Sequence, residues 1–157
     1  MGQDVVMTHA EPTYTLEQLE AEPVAEFAAF GRDDAARLGE TAVALVRERG
    51  LNLAIEVHIG DELAYRAQLG STGQPNADVI AGKRLVVKHF GHSSLLGRFK
   101  KDADPSVADG LGPEYKFWGG SIPLFVNGEV IGTLSSSGES DVVDHETIAD
   151  ALTRFRG

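Results

Sequence analysis

The chain reads as an α+β protein, and two observations carry that class. Two pairs of β-rich runs each flank a short turn, at Gly60-Asp61 and at Asn127-Gly128. Such hairpins pair antiparallel strands without a crossover connection. Before, between and after them run stretches whose apolar residues recur at helical spacing, so helices cover the sheet on one face or end. No internal repeat or low-complexity segment appears, and 157 residues suit one domain.

Residues 1–14 show no periodicity and are expected to be a flexible N-terminus, leaving 15–157 as a single domain. Thr15 with Gln18 three residues on is a capping-box pattern, so a short helix begins there and ends before Pro23. Asp33 or Asp34 opens the next helix, with Ala35, Leu38, Ala42, Leu45 and Val46 as its stripe and Gly50 just past its end.

Leu51 to Ile59 alternates. Leu51, Leu53, Ile55, Val57 and Ile59 share one face, and Asn52, Ala54, Glu56 and His58 share the other, which is expected to be exposed. A partner strand runs from Leu63 to Leu69. After the loop from Gly70 to Pro75, Asn76 can cap a helix reaching His89 or Phe90, with Val79, Ile80, Val86, Val87 and Phe90 as its stripe. Lys83 projects into the middle of that stripe, where a lysine either snorkels past its neighbours or meets an anion; snorkelling is the commoner outcome. Leu85 falls outside the stripe and needs another surface, which hints at a subunit contact.

Gly91 breaks this helix, and Ser93 or Ser94 can cap another that reaches Lys100. Asp102 to Pro113 reads as loop. Ile122–Val126 and Val130–Leu134 form the second hairpin, whose Asn127-Gly128 tolerates the two positive φ angles of a type I′ turn. Pro123 cannot donate to a ladder and belongs near an edge or a bulge. The last helix opens in the stretch Ser140 to His145, with Ile148, Leu152 and Phe155 inward and His145 on the same face.

A net charge of −10 argues against nucleic acid as a partner. No apolar run is long enough to span a bilayer, and Met1–Ala10 lacks a basic start with an apolar core, so a cytoplasmic location is expected. Zero cysteines remove disulfide and thiol chemistry. Acids dominate residues 1–40, whereas residues 83–101 hold Lys83, Arg84, Lys88, Arg98, Lys100 and Lys101 and no acid. A solvated face explains such a run more often than a binding site, although the two segments could also meet within or between subunits.

No nucleophile elbow, P-loop or H-E-x-x-H pattern is present, so no catalytic residue can be assigned. His89 with His92, or Asp141 with Asp144 and His145, could bind a divalent ion, but acids at a helix start serve more often as caps. Gly119-Gly120 beside Trp118 removes two Cβ atoms, so a ligand or another backbone can come close there. The ligand-binding candidates are therefore Trp118, Gly119, Gly120 and Ser121, with His92 or His145 as a polar contact and Lys83 for an anion.

Three ordered segments carry a resemblance: Phe30-Gly-Arg-Asp-Asp-Ala-Ala-Arg-Leu-Gly39; Lys83 through Phe90-Gly-His-Ser-Ser94; and Gly119-Gly-Ser-Ile-Pro123 with Ile131-Gly-Thr and Ser137-Gly…Asp144-His-Glu146. Together they resemble the haem-degrading-domain family of GlcG- and HbpS-like proteins, in its small single-domain branch, from about Thr15 to Leu152. The resemblance implies a profilin-like fold, an antiparallel sheet flanked by helices, and assembly into homo-oligomers. It also implies haem as a possible cofactor, which in this chain would need a histidine, tyrosine or oxygen donor as axial ligand. The chain departs from the branch near Asn76, where a Trp is expected and Asp78-Val79 stands. Three readings follow: an oligomer binding a small anionic ligand such as haem, a non-catalytic scaffold, and, last, an enzyme using histidine or metal chemistry.

Overall fold

Thr15 caps the first element as its sequence requires. Its hydroxyl accepts from Gln18 N at 3.1 Å, and its own amide donates to the Gln18 side chain at 3.0 Å. The structure, a computed structural model, describes residues 9–157. The elements run α1 (Leu16–Glu20), β1 (Ala25–Phe27), α2 (Arg32–Arg49), β2 (Ala54–Ile59), β3 (Glu62–Gln68), α3 (Gln74–Phe90) and α4 (Ser94–Ala103). A 3-10 turn at Pro105–Ala108, then β4 (Ser121–Val126), β5 (Glu129–Ser137) and α5 (Asp141–Arg156), complete the chain. The expected flexible stretch lies partly outside the described residues; within them, Tyr14 sets its ring edge against His145 of α5.

Two helices begin earlier than their polar residues suggest. Gly31 caps α2, and Asp34 reaches back to accept Gly31 N at 2.8 Å. Gly73 caps α3, and Asn76 accepts Gly73 N at 3.0 Å. Asp34 and Asn76 thus occupy the third helical position rather than the cap, where a side-chain oxygen reaches the cap's free amide.

The sheet order is β1-β4-β5-β2-β3. Four strands are antiparallel as expected, and β1 adds a parallel edge against Leu124–Val126. A three-residue strand between Pro23 and α2 is too short to show a period. The second hairpin turns at Asn127 (φ 53°) and Gly128 (φ 76°), as a type I′ turn requires. Pro123 precedes the residues β1 pairs with, and a register shift follows it between Leu124 and Phe125.

Helices α2 and α5 cover one sheet face. Leu38, Leu45, Val46, Leu53, Ile55, Val57, Leu124, Leu134, Ile148 and Leu152 are buried together there, each contributing about 1.5–3 kcal/mol of transfer free energy for its side chain. Helix α3 lies on the opposite face, where its Arg84 reaches Thr133, the neighbour of inward-facing Leu134. Helix α4 packs on α3, and Leu95 and Leu96 of α4 meet Leu19 of α1. Coverage from both sides corrects one sequence expectation. Ala54, Glu56 and His58 are buried, because the face expected to meet water is enclosed by α3 and the polar side chains above it.

Candidate functional site

The middle of α3 places Lys83 against the sheet, 2 % exposed. The expected snorkelling does not occur, because the side chain finds an internal anion. Its Nζ donates to the Ser136 carbonyl at 2.8 Å and to Asp144 Oδ2 at 3.1 Å. Asp144 stands in the first turn of α5, and its other oxygen accepts Glu139 N at 3.0 Å. Gly120 closes the third side: a Cβ there would lie 2.5 Å from both Nζ and the Ser136 carbonyl. Backbone therefore approaches the amine where a side chain would stand. Burial pushes the Lys83 amine down against the pull of Asp144, and pushes Asp144 up to about 6 against the pull of Lys83.

Lys83 and Asp144 are the most buried lining of a cleft of about 610 Å³. Asn76 and Val79 of α3, Arg98 of α4, Trp118, and the Ser137-Gly138-Glu139 turn with Asp141 complete its wall. Asp78-Val79 stands where the resemblance implies a Trp, and of the two Val79 lines the cleft. The polar wall is ordered by its own bonds. Arg98 Nη1 donates to both Asp141 oxygens at 2.6 Å, Gly119 N donates to Asp141 at 3.0 Å, and Asn76 donates to Ser137 Oγ at 3.2 Å.

The residues expected from sequence divide into three groups. Lys83 and Trp118 line the cleft, with Trp118 46 % exposed. Gly119 and Gly120 are buried behind it, serving close approach within the chain. Ser121 is fully buried: its amide donates to Ser94 Oγ at 3.0 Å and its hydroxyl pairs with Ser135 Oγ at 2.8 Å. It therefore offers no donor at a rim. His92 and His145 do not join the cleft. His92 stacks on Phe90 with ring centroids 5.5 Å apart, donates Nδ1–H to the Ser93 carbonyl at 2.8 Å, and lines a separate hollow of about 110 Å³. His145 lies beneath Tyr14 and donates from Nε2 to Glu22 at 2.9 Å.

The metal grouping at the start of α5 does not assemble. Asp141, Asp144 and His145 turn to Arg98, Lys83 and Glu22 respectively, and no cluster of three metal-ligating side chains forms among the described residues.

Sequence reasoning missed a second polar cluster, on the α3 side of the sheet. Glu56 accepts from Arg66 at 3.1 Å, and His58 Nε2 lies 3.7 Å from Glu56. Burial, with Arg84 and Arg66 nearby, lowers the His58 pKa to about 4. Glu56 is raised by burial against Arg66. The i, i+2 spacing of Glu56 and His58 put them on one face, but only the covering of that face by α3 buries them. Beside this cluster runs a groove of about 300 Å³ lined by Arg84, Leu85, Lys88, Val130, Ile131 and Thr133.

Fold and cleft together define a helix-flanked α+β domain with a ligand-sized opening beside a buried lysine–aspartate pair. The chain belongs to the family described as haem degrading protein HbpS-like, whose pattern matches residues 30–153. A UPF0303 protein of Streptomyces coelicolor is 38 % identical over 136 residues, covering 83 % of this chain and 86 % of its own length. A UPF0303 protein of Streptomyces avermitilis is 35 % identical over 155 residues, covering 95 % of each. Among solved structures, Ybr137w superposes with a TM-score of 0.81 at 24 % identity, over 92 % of this chain and 88 % of the other. HbpS gives 0.67 at 14 % identity over 83 % and 92 %, and the haem complex of PduOC gives 0.66 at 15 % over 80 % and 94 %. At these identities the structural likeness shows the fold, and it bears out the fold class the resemblance implied.

Proposed function

We propose that this chain is a small-ligand-binding protein whose site is the cleft between α3, the Trp118 segment and the start of α5. The observation that carries the reading is Lys83: a charged side chain buried at the wall of an open, ligand-sized cleft, with an exposed aromatic ring beside it. The ligand suited to this wall is small, with a flat or apolar body for Trp118 and Val79 and a polar oxygen for Lys83 or Asn76. An anion is received here only by exchange. Lys83 is matched by Asp144 and Arg98 by Asp141, so a ligand carboxylate must take the place of one of those acids.

Haem enters through the family and through the PduOC complex. Its iron needs an axial donor; among the described residues no histidine, tyrosine or methionine lines the cleft, and its carboxylates are engaged, Asp144 by Lys83, Asp141 by Arg98 and Glu139 by the Asn52 amide. His58, His92 and His145 each keep one buried ring nitrogen without a partner, but none of the three lines this cleft. The residues present therefore do not fit an axially ligated haem in this cleft.

Trp118 is the only tryptophan and reports directly on the site. Titration with propionate, a carboxylate with no aldehyde or keto group, is expected to quench its fluorescence saturably, and Lys83→Met is expected to remove the response. A parallel absorbance titration with haemin is expected to show no axially ligated spectrum. Absence of any saturable change with propionate would overturn the reading.

A second reading, a homo-oligomeric scaffold, is favoured by the groove at Leu85, Val130 and Ile131. Val130 is 41 % exposed, and the cations Arg84 and Lys88 flank the apolar lining. Light scattering tests it, and the two readings can hold together.

A further inference from the structure

We infer that Lys83 is a nucleophilic amine, and that the cleft takes a small carbonyl compound, an aldehyde or α-keto acid, held as an imine on Nζ. The inference rests on the cleft reading above and names its ligand class. Of the five lysines, Lys88, Lys100, Lys101 and Lys116 are exposed or half-buried, and Lys83 alone is buried. It lines the cleft of about 610 Å³ beside Trp118.

Imine formation needs a neutral amine, a proton acceptor beside it, and room for a carbon on nitrogen. Removal from water disfavours the ammonium form of Lys83. Asp144, 3.1 Å away, is a carboxylate whose own burial favours its protonated form. The charged groups around the amine are Asp144 and Asp141, both from α5. The Ser136 carbonyl holds one N–H and so fixes the head group's direction. Gly120 lets backbone close over one side of Nζ, so a carbon joins the nitrogen from the side that opens on the cleft beside Val79 and Trp118. Arginine in this position could supply charge but no neutral nitrogen.

The step balances without an oxidant or reductant. Nζ gives a proton to Asp144, and its lone pair forms a C–N bond with the carbonyl carbon. The displaced π pair moves to oxygen, which takes the proton back from Asp144 to give a carbinolamine. Nitrogen then returns a proton to Asp144, the hydroxyl leaves with that proton as water, and the nitrogen lone pair closes the C=N bond. Amine plus carbonyl gives imine plus one water. Trp118 and Val79 face the carbon body, and the carboxylate of an α-keto acid would reach Arg98 by taking the place of Asp141.

Trapping tests this on the unmodified chain. The protein is incubated with glyoxylate and sodium cyanoborohydride, and labelled lysines are mapped by peptide mass spectrometry. The expected result is one carboxymethyl group per chain, on Lys83. It should enter faster than at any exposed lysine, since a lowered pKa leaves more neutral amine at fixed pH. Lys83→Arg should remove that label, although the map of the unmodified chain decides the matter even if the variant misfolds. Label on exposed lysines with Lys83 untouched overturns the inference. If propionate still quenches Trp118 in that case, the cleft reading stands and only the imine falls; if it does not, both fall.

Discussion

Lys83 shows how far a residue's surroundings, rather than its type, decide its role. Breaking a buried pair costs more than the pair contributes, because the remaining charge is left without water or partner. Lys83→Met is therefore expected to lower stability by about 3–5 kcal/mol at neutral pH. The sign with pH follows from Asp144. Its folded pKa is raised by burial, so its protonated form is the one the fold prefers, and that preference is lost as pH rises through the folded value. Without Lys83 the carboxyl loses the pull that lowers it and is raised beyond about 6, so the deficit should shrink as pH falls through that higher value toward about 6. Urea midpoints at acid and at slightly alkaline pH check this; equal deficits at both would show that Asp144 is not the charge left behind. The sequence placed Lys83 inside an apolar stripe, but it could not name Asp144, because no helical or strand period links residues on α3 and α5. Gly120 carries the same lesson. As a rim residue it would tolerate valine with loss of ligand alone. Held at φ 127° with Nζ and the Ser136 carbonyl 2.5 Å from a would-be Cβ, it tolerates no side chain, and Gly120→Val would test folding rather than binding. His145→Ala likewise would remove a fully buried ring and its bond to Glu22.

Elements were more legible than contacts. Stripes on α2, α3 and α5 and the alternation of β2 follow from period alone, and the second hairpin follows from its turn. Because Asn127 and Gly128 both sit at positive φ in an exposed turn, replacing them by Ala-Ala is expected to cost roughly 1–3 kcal/mol of strain. An unchanged denaturation midpoint would contradict that. Two features escaped the sequence at this scale. β1 is too short to show a pattern, and the second face of β2 looked solvated because Asn52, Glu56 and His58 are polar. That face is covered by α3, Arg66 and Arg84, and the consequence is a pH dependence. His58 is held neutral, with its pKa lowered to about 4 by burial and by Arg84 and Arg66 against the opposing pull of Asp61. A depressed folded pKa means stability present above the unfolded value of about 6.5 and lost as pH falls toward 4. Glu56, raised by burial, acts in the opposite sense over part of that range. The comparison must therefore be made against His58→Leu, which removes the histidine term and leaves Glu56. The unmodified chain should lose on the order of 2–3 kcal/mol more than the variant between about pH 6.5 and pH 4. Parallel stability–pH curves would overturn the neutral, buried assignment of His58.

At the scale of the whole molecule, the charge pattern is not resolved within one chain. Acids crowd residues 1–40 and cations crowd residues 83–101. Among the described residues no ion pair joins the two: Arg84 and Lys88 turn to Asp61, Arg98 turns to Asp141 and Asp102, and Glu22 turns to His145. The groove beside Arg84 and Lys88 is lined by Leu85, Val130 and Ile131, and Leu85 was the residue that α3's own stripe could not accommodate. An apolar strip edged with cations, on a chain of net charge −10, suits a second copy presenting its acidic N-terminal segment. Light scattering at micromolar concentration is accordingly expected to report a mass well above the 16.8 kDa of one chain. Val130→Asp should lower that mass by setting a carboxylate into the apolar strip, with little effect on folding, because Val130 is exposed in the single chain. Added salt should loosen the assembly, since exposed pairs are screened over about 8–10 Å at 0.1–0.15 M. A monomer at low salt would dispose of the interface outright. An oligomer insensitive to both Val130→Asp and salt would move it to another face, away from the groove and from the basic stretch that edges it.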